Sequence, residues 1–142
     1  MKYILQNNQK NYLLRLFRGE DILESLQKFC KRNKISSGQI HGIGAVSEAN
    51  IGFFDGEEYQ KMNFSENLEL LSLNGNIAQN QIVHIHGVFG QQDGSCIGGH
   101  IFQGCIVSVT CEIQISVYEP GVSRTEDPVS KLMLLELPYL IE

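Results

Sequence analysis

No stretch of this chain strings together the roughly 18 apolar residues that a membrane-crossing helix needs. The opening residues, MKYILQNNQKNYLL, hold neither a sustained apolar segment nor a small-residue cleavage site. A soluble, unexported, cytoplasmic protein with no membrane partner is the expectation. Tryptophan is absent, and the three prolines fall late, at positions 120, 128 and 138. No repeat, low-complexity tract or linker divides the sequence, so 142 residues are read as one domain over 1–142, with a core from about 10 to 137. A chain of that length buries roughly 68–70% of its unfolded surface and holds a core without covalent staples. The four cysteines, Cys30, Cys96, Cys105 and Cys111, lack CxxC spacing. They read as reduced, buried thiols rather than a disulfide framework.

Positive charge is scarce over most of the chain. Residues 1–34 carry eight Lys/Arg against three Asp/Glu, whereas the remainder carries three against thirteen. The net charge of −5 disfavours non-specific binding to nucleic acid, which depends on neutralising phosphates. The basic end keeps a DNA-binding reading open through Lys28, Lys31 and Arg32 on one helix face. The competing reading of those charges is a solvated helix face favoured by the dipole.

Periodicity supplies the architecture. EDILESLQKFCKRNK (20–34) places Ile22, Leu23, Leu26, Phe29 and Cys30 on one face at helical spacing, with acids at its start and bases at its end. It is the one convincing helix. Strands are expected over 11–19, over 37–55 as two strands joined near Val46–Glu48, and over 67–79, 81–90, 95–102 and 105–119. In 67–79, Leu68, Leu70 and Ser72 are expected on one face and Glu69, Leu71 and Leu73 on the other. EPGVSRTEDP (119–128) reads as a loop. KLMLLELP (131–138), apolar on both faces, reads either as a central strand of a covered sheet or as part of a subunit interface. The sum is an α+β fold with a mainly antiparallel β-sheet and one prominent amphipathic helix.

Histidine is also scarce, yet three of the four fall in VHIHGVFGQQDGSCIGGH (83–100). His84 and His86 are two apart on a strand and point the same way, about 6–7 Å apart at their Cα atoms. Gln92-Asp93-Gly94 suits a three-residue hairpin loop with glycine in the left-handed position. Gln91 then opposes Ser95, His86 opposes His100, and His84 lies diagonal to it. A two-residue turn would slip the register and send His100 to the other face, and a bulge at Gly98-Gly99 would re-aim it. Three neutral imidazoles with an open fourth position suit a divalent metal, zinc above all. The expected metal ligands are therefore His84, His86 and His100, with Gly87, Gly98 and Gly99 leaving space alongside. The competing reading is three histidines hydrogen-bonded among strand side chains. Cys96, Cys105 or Glu112 could complete the shell, and Glu69 and Glu112 are weak acid/base candidates. GIGA (42–45) lacks the strand–GxGxxG–helix context of a nucleotide loop and reads as a bend in a strand. No catalytic triad order stands out.

The segments 11–55, LELLSLNGNIA and VHIHGVFGQQDGSCIGGH, in this order and spacing, closely resemble the plants-and-prokaryotes conserved (PPC) domain. The resemblance spans about residues 10–137 and implies a compact α+β domain assembled as a homotrimer. In the plant branch the domain follows AT-hook motifs in DNA-binding nuclear proteins, and the region matching ENLELLSL (66–73) is linked to partner contacts. No Arg-Gly-Arg-Pro core of an AT-hook occurs here. The histidine pattern is typical of the stand-alone prokaryotic branch. For that branch the resemblance implies a metal at the His cluster and a biochemical role still open; a small-molecule ligand at the His-lined site is the accompanying expectation.

Overall fold

The computed structural model describes residues 1–5, 11–79 and 81–137. The strands are β1 (Lys2–Leu5), β2 (Asn11–Phe17), β3 (Gly38–Phe54), β4 (Tyr59–Phe64), β5 (Leu68–Ala78), β6 (Ile82–Gly90), β7 (Cys96–Ile101), β8 (Ile106–Val117), β9 (Ser123–Glu126) and β10 (Met133–Glu136). The helix α1 spans Ile22–Arg32. Its start is set by Asp21, whose carboxylate accepts from the backbone N–H of Glu24 at 2.8 Å and of Gly104 at 2.6 Å. One side chain thus satisfies a helix-end donor and ties the helix to the β7–β8 connection. Ile22, Leu26, Phe29 and Cys30 are buried, and α1 packs against β6 and β8.

The main sheet is antiparallel throughout, in the order β1-β2-β8-β3-β5-β6-β7, with β4 on the far end of β3. A second pairing, of Ile51 and Gly52 in β3 with Ile101 and His100 in β7, brings the two ends of β3-β5-β6-β7 together. That closure turns the middle of the sheet into a barrel-like wrap, and it depends on the length of β3. The sequence pattern predicts two strands over 37–55, whereas β3 is one 17-residue strand. Register shifts between Gly42 and Gly44, Gly44 and Val46, and Val46 and Glu48 bend it where a break is expected. The GIGA segment is such a bend, and its glycines lie against neighbouring backbone: a Cβ on Gly44 would sit 2.5 Å from the Thr110 carbonyl oxygen.

The concave side holds one core that includes Leu14, Leu16, Ile40, Ile51, Leu70, Leu73, Ile85, Phe89, Ile101 and Ile113. Leu73 is a correction. Alternation sets it with exposed Glu69 and Leu71, but a register shift between Leu70 and Ser72 turns it inward. Ser123–Glu126 is a strand where a loop is expected, and among the described residues it pairs with β10. Residues 133–136 are exposed along their whole length, so β10 is not a central strand of a covered sheet. Cys30, Cys105 and Cys111 are buried free thiols, as expected, but Cys96 is exposed.

Candidate metal centre

The β6–β7 hairpin has the three-residue turn its sequence calls for. Gly94 takes φ +84°, the Gln91 N–H donates to the Ser95 carbonyl at 2.8 Å, and the ladder runs from Gly90 opposite Cys96 to His86 opposite His100. No register shift interrupts it, so Gly98-Gly99 carries no bulge. Core residues Val83, Ile85 and Phe89 alternate with the histidines and fix which face they occupy. His84, His86 and His100 therefore converge on the convex side. Their ring centroids are 5.0 Å (His84–His86), 5.0 Å (His84–His100) and 5.4 Å (His86–His100) apart. The Nε2 atoms of His84 and His86 are 3.1 Å apart, and one nitrogen from each of the three rings lies within 4.8 Å of the others.

His86 is exposed, and the other two are half-buried. Burial pushes the His100 pKa down to about 4, with help from the like charges His84 and His86 would carry. His84 is lowered for the same first reason, then by His86 and by the Arg124 guanidinium. Both rings are therefore held neutral, the form that ligates a metal. The Nδ1 of His100 is buried without a hydrogen-bond partner. A buried imidazole nitrogen left bare is costly in a purely structural network.

The glycines act differently from expectation. A Cβ on Gly99 would lie 2.6 Å from the Gly52 carbonyl oxygen, one on Gly98 2.8 Å from that of Gly87, and one on Gly87 2.9 Å from Ile101. They let strands and core side chains close up and do not open space beside the rings. Among the described residues no carboxylate or thiol joins the cluster. Cys96 pairs with Gly90 at the turn end of the hairpin. Cys105 faces the core, where desolvation raises its thiol pKa to about 11. Glu112 sits on β8 opposite Arg15 and Ile43, and Glu69 lines a groove with Arg18, Ser47 and Gln91.

The surroundings of the cluster are less visible in the sequence. Cross-strand pairing sets Asn74 beside His86 and Asn76 beside His84, then His41 and Gln39 beyond them. Arg124, 7% exposed, donates to the Asn76 Oδ1 and to the Met133 carbonyl oxygen. On the opposite flank Phe102 and Tyr59 pack on His100, with centroids at 4.7 and 4.9 Å. Lys28, Lys31 and Arg32 lie exposed along α1, and Lys28 pairs with Glu24 at 2.8 Å.

A profile of the Plants and Prokaryotes Conserved (PCC) domain matches residues 3–119. Among solved structures, a metal-containing protein from Archaeoglobus fulgidus superposes with a TM-score of 0.81 at 32% identity, covering 96% of this chain and 97% of that one. A plant- and prokaryote-conserved protein from Pyrococcus horikoshii gives 0.81 at 29% identity over 98% and 97%. A Bacteroides thetaiotaomicron protein, provisionally named DNA-binding, gives 0.86 at 29% over 94% and 96%. The bifunctional protein GlmU of Synechococcus sp. is 30% identical over 133 residues, 92% of this chain. The chain spans about a fifth, 21%, of that relative's length. With the family profile covering most of its length and the fold matching along nearly all of it, the chain belongs to the plants-and-prokaryotes conserved domain family.

Proposed function

We propose that this protein is a homotrimer that binds one divalent metal, zinc by preference, through His84, His86 and His100, and presents it to a small-molecule ligand. The observation that carries the reading is the convergence of three half-buried or exposed imidazoles with one bare buried nitrogen. Ligands about 2.0–2.1 Å from a tetrahedral zinc stand roughly 3.3 Å apart. The 3.1 Å between His84 and His86 is close to that, while the widest separation, up to 4.8 Å, closes by rotation of one ring. Three neutral nitrogens and no thiolate suit zinc and its first-row neighbours better than calcium or magnesium. The metal-containing relative from Archaeoglobus fulgidus supports the same reading. When bound with a fourth position open, such an ion supplies a Lewis acid and lowers the pKa of a bound water. Elemental analysis of protein purified without chelator should find about one metal per chain, and a metal-free preparation at neutral pH would refute the reading.

The trimer rests on the family and on apolar surface. Ile43, Leu71 and Val109 are 57%, 51% and 62% exposed on one outer sheet face. Large apolar side chains exposed together, with Glu69 and Glu112 among them, suit an association surface. Exposed Met133, Leu134 and Leu135 on β10 fit the interface branch of the sequence reading.

A second reading, a DNA-associated protein, is favoured by the provisional name of the Bacteroides relative and by exposed Lys31 and Arg32. The acidic balance beyond residue 34 weighs against it.

A further inference from the structure

Beyond residue 34 the chain has only three basic residues, Lys61, Arg124 and Lys131, against thirteen acids. Two of these three flank the histidine cluster. Arg124 hydrogen-bonds Asn76, the cross-strand partner of His84. Lys61 lies on the other side: it pairs with Gly52, and Gly52 pairs with His100. The glycine is needed there, because a Cβ would meet Phe102 at 2.6 Å and Tyr59 at 3.3 Å. The two rings therefore cover the backbone between His100 and Lys61. The Lys61 ammonium rests 4.4 Å from the Phe102 centroid, and Phe102 rests 4.7 Å from the His100 ring. Among the described residues neither Lys61 nor Arg124 has a carboxylate partner.

The charge pattern identifies what is missing. A divalent ion held by three imidazoles keeps its full double charge. Along the cross-strand rows its neighbours are Asn74, Asn76, Gln39 and His41, three amides and an imidazole and no acid. With a cation at each flank, the site is an electropositive island in an acidic chain, and among the described residues no carboxylate joins the cluster to compensate a metal. The geometry points to a small organic dianion as the ligand of this site: one carboxylate on the open metal position, a short body along the Phe102–Tyr59 wall, and the second negative group at Lys61. Lys61 is exposed and rests on Phe102, so it can swing to a ligand. Arg124, tied to Asn76 and Met133, contributes fixed positive potential instead of direct contact.

This inference rests on the metal reading, and the test separates the two. The full chain is loaded with cobalt(II), whose visible bands report its ligands, and titrated with succinate or with neutral succinamide. Succinate should shift the bands at millimolar concentration and succinamide should not. Lys61→Gln should load cobalt as the wild type does but need about tenfold more succinate, as expected for loss of one charge-assisted contact. Lys61→Arg should restore most of the affinity. Equal responses to succinate and succinamide, or a Lys61→Gln titration that overlays the wild type, would overturn the dianion assignment and leave the metal site standing. Failure of the wild type to take up cobalt would overturn the metal reading, and this inference with it.

Discussion

His86 and His100 face each other across the β6–β7 ladder, eight residues from the left-handed Gly94 that sets the pairing in one case and six in the other. A turn three residues long puts both rings on the convex face, and a turn one residue shorter would put them on opposite faces. Deleting Gln92 should therefore abolish metal binding while the far-UV circular dichroism stays strand-like. Gly94→Val, forced into φ +84°, should destabilise by about 1–2 kcal/mol in denaturant titration. A deletion variant that binds zinc as tightly as the wild type would show that register does not build the site.

The histidines also set an acid limit on stability. His100 titrates near 4 in the folded chain, and His84 is lowered too, whereas an unfolded histidine titrates near 6.5. Between those values the unfolded chain binds more protons, so stability rises with pH across the window and falls as pH drops from 6.5 towards 4. Above 6.5 the effect is absent. In metal-free protein, His100→Gln should flatten that fall, read as urea midpoints at pH 7, 5.5 and 4.5. Parallel pH profiles for wild type and variant would contradict the burial argument.

Association should follow the apolar face. Light scattering at micromolar concentration should give three times the 16.0 kDa chain mass. Val109→Asp, which places a charge at a position 62% exposed in the single chain, should lower that mass without unfolding it. A wild-type mass of one chain would exclude the trimer.

Weak DNA binding is the fourth expectation. At about 150 mM salt, gel shifts on random duplex should show no sub-micromolar binding, and Lys31→Ala with Arg32→Ala should change nothing. Tight binding with a steep salt slope, lost in that double variant, would restore the DNA reading.

The helix and the histidine face were legible because each rests on local signals. The helix has a 3.6-residue apolar stripe over Ile22–Cys30, and the hairpin has a turn type specified by its glycine. What surrounds the site was not legible, because it arrives from distant segments. Arg124 lies in a stretch whose proline and glycine read as loop, and it comes beside His84 only through tertiary contacts, its hydrogen bond to Asn76 among them. Tyr59 belongs to a strand whose exposed residues show no alternation, and it reaches His100 only because β3 runs unbroken to Phe54. Leu73 departs from its alternation because a bulge cancels the period of two without leaving a mark in composition. Gly52 gives no sign in sequence that it sits between a lysine and a histidine.

The proposed site stands or falls with His84, His86 and His100 together binding one metal ion. Equilibrium dialysis against zinc at neutral pH, run side by side on the wild type and on the variant with all three replaced by alanine, tests it most directly. About one zinc per wild-type chain is expected, with loss of that zinc in the triple variant and both proteins folded by circular dichroism. Equal uptake by the two, or none by the wild type, would contradict it.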